Sequence, residues 1–139
     1  MKSNFINKRR LDDIMDTTIS DWQRQAEADF ETAKFNSKGK KYYAAVIFAQ
    51  QAAEKGLKAV FISKHGKIAP KIHDIVGLCR LVSAPQNLLN SAQLLTISYF
   101  VSRYPGIEEK IPLDLYDSDK TQRYIKAAEE ILQWCRKNL

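Results

Sequence analysis

Between residues 41 and 65 the chain reads KYYAAVIFAQQAAEKGLKAVFISKH, and its apolar positions keep a helical period. Tyr42, Val46, Ala49, Ala53, Gly56 and Val60 recur at the i, i+4, i+7 spacing of one face. Tyr43, Leu57 and Phe61 widen that face on one side; Ala45, Phe48, Ala52 and Ala59 widen it on the other. At about 100° per residue the apolar arc covers well over half of the circumference. A helix that apolar must meet neighbours on several sides, so the pattern predicts the central helix of a bundle. The polar remainder is a narrow strip of Gln51, Glu54, Lys55 and Lys58. Glu54 and Lys58 form an i,i+4 pair with the acid first, the better orientation. The simplest reading of the strip is a solvated face carrying that pair. Gln50 differs, because its direction falls inside the apolar arc. A buried amide without partners costs about 1–3 kcal/mol, so another element is expected to bring it a polar group.

The rest of the chain repeats the helical period. Residues 1–19 start with the basic segment Lys8-Arg9-Arg10, followed by Leu11, Ile14 and Met15. Both a short amphipathic helix and a loose arm fit this stretch. Ser20, with Gln23 three residues on, reads as a capping box opening a helix to about Asn36. Its buried stripe is Trp22, Ala26, Phe30 and Ala33, and Asp29 points into the same stripe. A carboxylate there needs a partner: either a cation from another helix simply holds it, or it orients a functional group. The central helix ends near His65-Gly66, with glycine suited to the C-cap. A short helix follows from about His73 to Val82. Pro85 opens the next one, whose stripe is Leu88, Ala92, Leu95 and Tyr99, with Arg103 continuing it at the edge. Tyr104-Pro105-Gly106 stops that helix. Arg103 is thus placed to neutralise Asp29 or Glu54. Residues 106–116 read as an irregular loop. A last helix from about Asp117–Asp119 to Leu139 carries the stripe Tyr124, Ala128, Ile131 and Cys135. These elements make one all-α domain over residues 20–139: an up-and-down four-helix bundle with an additional short helix.

Composition agrees and narrows the function classes. The 139 residues hold 45% hydrophobic and 27% charged side chains, with only five glycines and four prolines, too few for the turns of an all-β fold. No apolar run is long enough to span a membrane and the polar N-terminus has no signal-peptide core, so no membrane partner and a cytoplasmic location are expected. Cys79 and Cys135 lie in apolar helical patterns and read as core thiols. No metal-ligand spacing appears, and neither a metal nor a cofactor is expected. The net charge of +6 permits an anionic partner such as nucleotide or RNA. The lysines and arginines are spread along the chain, without a dense basic tail.

Four short patterns resemble the HEPN domain family (higher eukaryotes and prokaryotes nucleotide-binding). They are Ala26-x-x-Asp29-Phe30-x-x-Ala33, Gln51-Ala52-Ala53-Glu54-Lys55-x-x-Lys58, His73-Asp74-Ile75 and Ser102-Arg103-Tyr104-Pro105. Their order and spacing span residues 20 to about 135, and the central-helix pattern is the most specific. The resemblance implies a bundle of four or five helices, agreeing with the periodicity, and a homodimer. It also implies a minimal nucleotidyltransferase as partner, since many family members are encoded beside one. Glu54, Lys58, His73 and Arg103 stand where the family pattern places polar residues, and Asp29 matches the first-helix motif. The ribonuclease members carry Arg, four to six residues, then His. Here Arg103 is followed by Tyr-Pro-Gly-Ile-Glu-Glu-Lys, and both histidines, His65 and His73, precede it. The family's nuclease activity is therefore not carried over, and no catalytic residue is assigned.

The expected function is a non-catalytic module that binds nucleotide or RNA phosphate, working with the nucleotidyltransferase in a toxin–antitoxin-type system. Lys58, Arg103 and His73 are the expected phosphate-binding residues, with charge-assisted hydrogen bonds from the cations. Asp29, Gln51, Glu54 and Tyr104 are the expected supports of the polar groove. Two alternatives stand beside it: a metal-independent RNase using Arg103 with His73 or Tyr104, and a protein–protein module whose wide apolar arcs continue into an interface.

Overall fold

Nothing in the first 38 residues stops a helix, for the stretch contains neither glycine nor proline. In the computed structural model, which describes the backbone of residues 2–139 and the side chains of residues 10–139, helix α1 accordingly runs unbroken over Lys2–Lys38. Ser20 lies inside it and opens nothing, which corrects the expected capping box. The residues that prefer caps are satisfied within the helix instead. Thr17 and Thr18 donate their hydroxyls to the carbonyls of Asp13 and Ile14, four residues back, at 2.9 and 2.7 Å. Of the basic segment Lys8-Arg9-Arg10, the first two side chains lie outside the described ones.

A tight turn at Gly39 and Lys40 reverses the chain into α2, Tyr42–His65. Gly66, at φ +61°, ends α2 in the left-handed conformation, and its N–H donates to Ile62 O at 2.9 Å. Then come α3 (Ile75–Leu81), α4 (Gln86–Val101), α5 (Pro112–Leu115) and α6 (Ser118–Lys137). The 106–116 stretch, expected to be irregular, thus contains a single turn of helix with Pro112 at its start. Pro85 sits one residue outside α4, at its N-cap. Asp117 caps α6, accepting from Lys120 N–H at 2.8 Å. Among the described residues the regular structure is all helical, without a strand.

Helix α2 is central, as its apolar arc requires: it packs on α1 and α6 most extensively and also meets α3, α4 and α5. Ala45, Ala49, Ala52, Ala53, Leu57, Ala59 and Val60 are fully buried. At Gly56, α6 packs close against α2. A Cβ there would lie 2.8 Å from Leu132 Cδ2 and 3.4 Å from Cys135 Sγ. Both cysteines are free and buried in the core. Burial pushes the Cys79 thiol up to about 12, and Asp74 adds to the effect; burial raises Cys135 as well. At the far end of α2, Lys64 Nζ donates to Val82 O at 2.7 Å and the His65 ring bonds Leu81 O at 2.9 Å. The last turn of α2 thereby closes two open carbonyls at the C-terminal end of α3.

Candidate functional site

The amide expected to need a partner finds one on each side. Gln50 is fully buried; its Nε2 donates to Glu54 Oε1 at 3.1 Å, and its Oε1 accepts from Arg103 at 3.1 Å. Arg103 follows α4, one residue past the C-cap Ser102, and its other terminal nitrogen donates to Tyr99 O at 2.7 Å. The guanidinium carbon lies 4.1 Å from the centroid of the Tyr99 ring, a cation–π contact. The His73 ring stacks on the same tyrosine, with centroids 4.5 Å apart and planes 14° from parallel. Nδ1 of His73 returns to Glu54 Oε1 at 2.9 Å. An ionised carboxylate only accepts, so this Nδ1 is the donor, and Nε2 makes no hydrogen bond among the described residues. Glu54, Gln50, Arg103, Tyr99 and His73 close a ring of contacts across α2, α4 and the segment before α3.

Lys58 joins this ring from below. Its Nζ donates to Glu54 Oε2 at 3.2 Å, and the ammonium lies 5.7 Å from the Trp22 ring of α1. Glu54 and Lys58 are each only 5% exposed. The polar strip of α2 is therefore not a solvated face, because Trp22 covers one end of it and His73 the other. The site holds one carboxylate, Glu54, against two basic side chains, Lys58 and Arg103, an excess that suits an anionic ligand. Burial lowers the Arg103 pKa, and the neighbouring Tyr99, Glu54 and Tyr104 oppose that effect. Arg103 is half-buried and His73 exposed.

The remaining expected site residues fall elsewhere. Asp29 is buried, as its place in the stripe of α1 implied, but its partners are Lys55 and the Gln25 amide, the latter at 3.0 Å. Arg103 thus neutralises neither Asp29 nor Glu54 directly. Gln51 is half-buried beside the ring and Tyr104 is exposed, with its ring centroid 6.4 Å from that of Phe100. Gln50 and Tyr99 are the two ring members the site reading missed. Gln50 carried a signal, an amide inside an apolar arc. Tyr99 carried a weaker one, an aromatic residue four positions before an arginine.

Fold and site together define a helical-bundle protein whose central helix supports a buried polar ring with an arginine at its rim. The HEPN domain model matches residues 19–138, and the chain belongs to that family. Among solved structures it is similar to TT1696 from Thermus thermophilus, with a TM-score of 0.80 and 26% identity over 87% of this chain and 98% of that one. It is also similar to ST0689, an archaeal HEPN homologue, with a TM-score of 0.73 and 33% identity over 86% and 95% of the two chains. A HEPN domain protein from Thermotoga maritima aligns with a TM-score of 0.65 and 25% identity over 84% and 94%. No curated protein matches the chain.

Proposed function

We propose that this HEPN protein is a non-catalytic module that binds a nucleotide or RNA phosphate at the Arg103–His73 rim. The observation that carries the reading is the buried ring beneath that rim. Gln50 and the Tyr99 carbonyl each take one N–H from Arg103, which holds the fork in place before any ligand arrives. Preorganisation of this kind lowers the entropy cost of binding. Lys58 contributes charge from below, while Glu54 spaces the cations and orients His73. The chain acts as a cytoplasmic homodimer beside a minimal nucleotidyltransferase, in a toxin–antitoxin-type pair. An exposed apolar face next to Arg103, formed by Ile97, Phe100, Tyr104 and Ile107, suits the homodimer contact.

The test is a thermal-shift titration of wild type and Arg103→Ala with nucleoside mono- and triphosphates and short RNAs. A native-state site raises the wild-type melting temperature with ligand concentration, and the substitution removes the rise. An equal rise in both proteins would move the site away from Arg103. No rise with any ligand would leave the protein–protein reading.

The Glu54–His73 bond favours one rival: a carboxylate that fixes Nδ1 leaves Nε2 placed for proton transfer beside a phosphate-binding arginine. RNA cleavage in the presence of a chelator, lost in both His73→Ala and Arg103→Ala, would establish that metal-independent RNase. Intact RNA after incubation with clean protein would dismiss it.

A further inference from the structure

A large part of the net positive charge of this chain sits in one turn. Residues 34–43, Lys-Phe-Asn-Ser-Lys-Gly-Lys-Lys-Tyr-Tyr, hold four lysines and no acid, against a net charge of +6 for the whole chain. The fold closes this stretch into the tip between α1 and α2, where Lys41 N–H donates to Asn36 O at 2.8 Å and Lys40 N–H to Ser37 O at 3.0 Å. Lys38, Lys40 and Lys41 are exposed. Lys40 sits at φ +60°, where a glycine would be unstrained, so the lysine adds charge to the tip at some conformational cost. Phe35 is 77% exposed. It stands two residues, about 200° of helix, from the fully buried Ala33 and so faces outward. A concavity of about 440 Å³ opens against it, lined also by Glu31, Thr32, Lys34 and Lys38. The one acid there, Glu31, is matched by Lys34 at 2.8 Å.

An exposed aromatic ring beside a hollow and a run of ammonium groups is what a single strand of nucleic acid engages: bases stack on the ring and phosphates meet the cations. An acidic peptide would use the lysines and leave Phe35 idle. The tip and the rim are joined by α2, which Lys41 opens. From Lys41 to Gln50, which holds Arg103, is about 14 Å of helix, the span of roughly four stacked nucleotides.

We infer that the α1–α2 tip, through Phe35, Lys38, Lys40 and Lys41, is a second contact surface for single-stranded nucleic acid whose backbone continues to Arg103. This rests on the phosphate-binding reading of Arg103 and narrows its ligand to a strand. The test uses a labelled single strand of about twelve nucleotides, ample for the bridging length, as RNA and as DNA of the same sequence. Fluorescence anisotropy compares wild type, Phe35→Ala, the Lys38→Ala/Lys40→Ala/Lys41→Ala triple and Arg103→Ala. The tip substitutions are exposed and leave the core intact. Phe35→Ala is expected to weaken binding about tenfold, the loss of one stacked base. The triple variant is expected to weaken it and flatten the slope of log K against log salt by about 2. The mononucleotide thermal shift stays unchanged in both. Those losses with RNA alone would support the surface and show that the 2′-hydroxyl is read; losses with both strands would support it through phosphate and base. If both tip variants bind the strand like wild type while Arg103→Ala loses it, the tip is refuted and the Arg103 reading stands. If no nucleotide or strand binds wild type, both fall. If a polyglutamate peptide competes as well as the strand and Phe35→Ala changes nothing, the tip is only a cationic patch and the inference is overturned.

Discussion

Replacing Glu54 by glutamine tests the ring at its most crowded point. Oε1 receives two donors, Gln50 Nε2 at 3.1 Å and His73 Nδ1 at 2.9 Å, and Oε2 receives Lys58 Nζ at 3.2 Å. Glutamine has the same shape but one acceptor oxygen. If its nitrogen faces Lys58, two donors meet, and an ammonium that is 5% exposed loses its partner. Turned over, the nitrogen meets Gln50 and His73 instead. Gln50 cannot turn in response, because its oxygen accepts from Arg103. Either orientation removes the counter-charge of Lys58, whose buried ammonium is then met at best by a neutral amide oxygen. Breaking a buried pair from one side costs about 3–5 kcal/mol; the Trp22 contact is already made in the native protein and offsets none of this. A loss of about 3 kcal/mol is expected, a large share of the 5–15 kcal/mol typical of a domain. Adding Lys58→Met removes the stranded charge and keeps an unbranched apolar chain, so the double variant should regain about 2 kcal/mol. Urea unfolding followed by circular dichroism at neutral pH measures all four corners of the cycle, with m expected to stay constant. A loss under about 1 kcal/mol for Glu54→Gln, the worth of an exposed pair, would refute the reasoning. So would strictly additive single and double losses.

Four further outcomes follow from the same packing. Gly56→Ala gains about 1 kcal/mol of helix propensity but presses Leu132 and Cys135, at about 1–3 kcal/mol; a net loss of about 1 kcal/mol is expected, and a raised melting temperature would show that α6 yields freely. Neither thiol should react with a disulfide reagent in the native protein at mildly alkaline pH, and both should react in denaturing urea. Because the Cys79 pKa rises from 9.0 to about 12 on folding, its contribution to stability is complete below pH 9 and is lost as pH climbs toward 12; Tyr116 and Tyr124, also raised by burial, act in the same direction. A stability that holds level across that alkaline range would contradict this. Asp29→Asn should cost about 1 kcal/mol, since Lys55 is part-exposed and can turn to water. Ligand-induced thermal shifts should survive that change; their loss would put Asp29 inside the site.

The central helix was legible because its apolar arc is too wide for any other place in a helical fold. The same pattern flagged Gln50 as an amide in need of a partner. It could not name Arg103, which is 53 residues away in the chain and arrives only through the packing of α4. The burial of Glu54 and Lys58 was not legible for a related reason. Periodicity records the direction in which a side chain leaves its helix, but whether Trp22 and His73 reach over it depends on neighbouring elements. Ser20 misled because a cap preference is local and weak, while a long stretch without glycine or proline lets the helix continue through it. The turn of helix at Pro112–Leu115 is too short to leave a period. The basic tip was present in the sequence as KFNSKGKKYY, but its lysines read as dispersed until the turn gathered them.

Gln50 gives the ring a direction. Protons point one way along it, from Arg103 to the amide oxygen and from the amide nitrogen to Glu54. An amide that accepts a bond from a cation becomes the stronger donor at its other end, and such chains strengthen each member by about 10–30%. An anion that draws Arg103 toward itself weakens the first bond, and the second weakens with it. Glu54 then leans on its remaining donors, His73 above all. Occupancy at the arginine would thereby be felt at the imidazole by polarisation across three hydrogen bonds, with no helix shifting and no side chain changing rotamer.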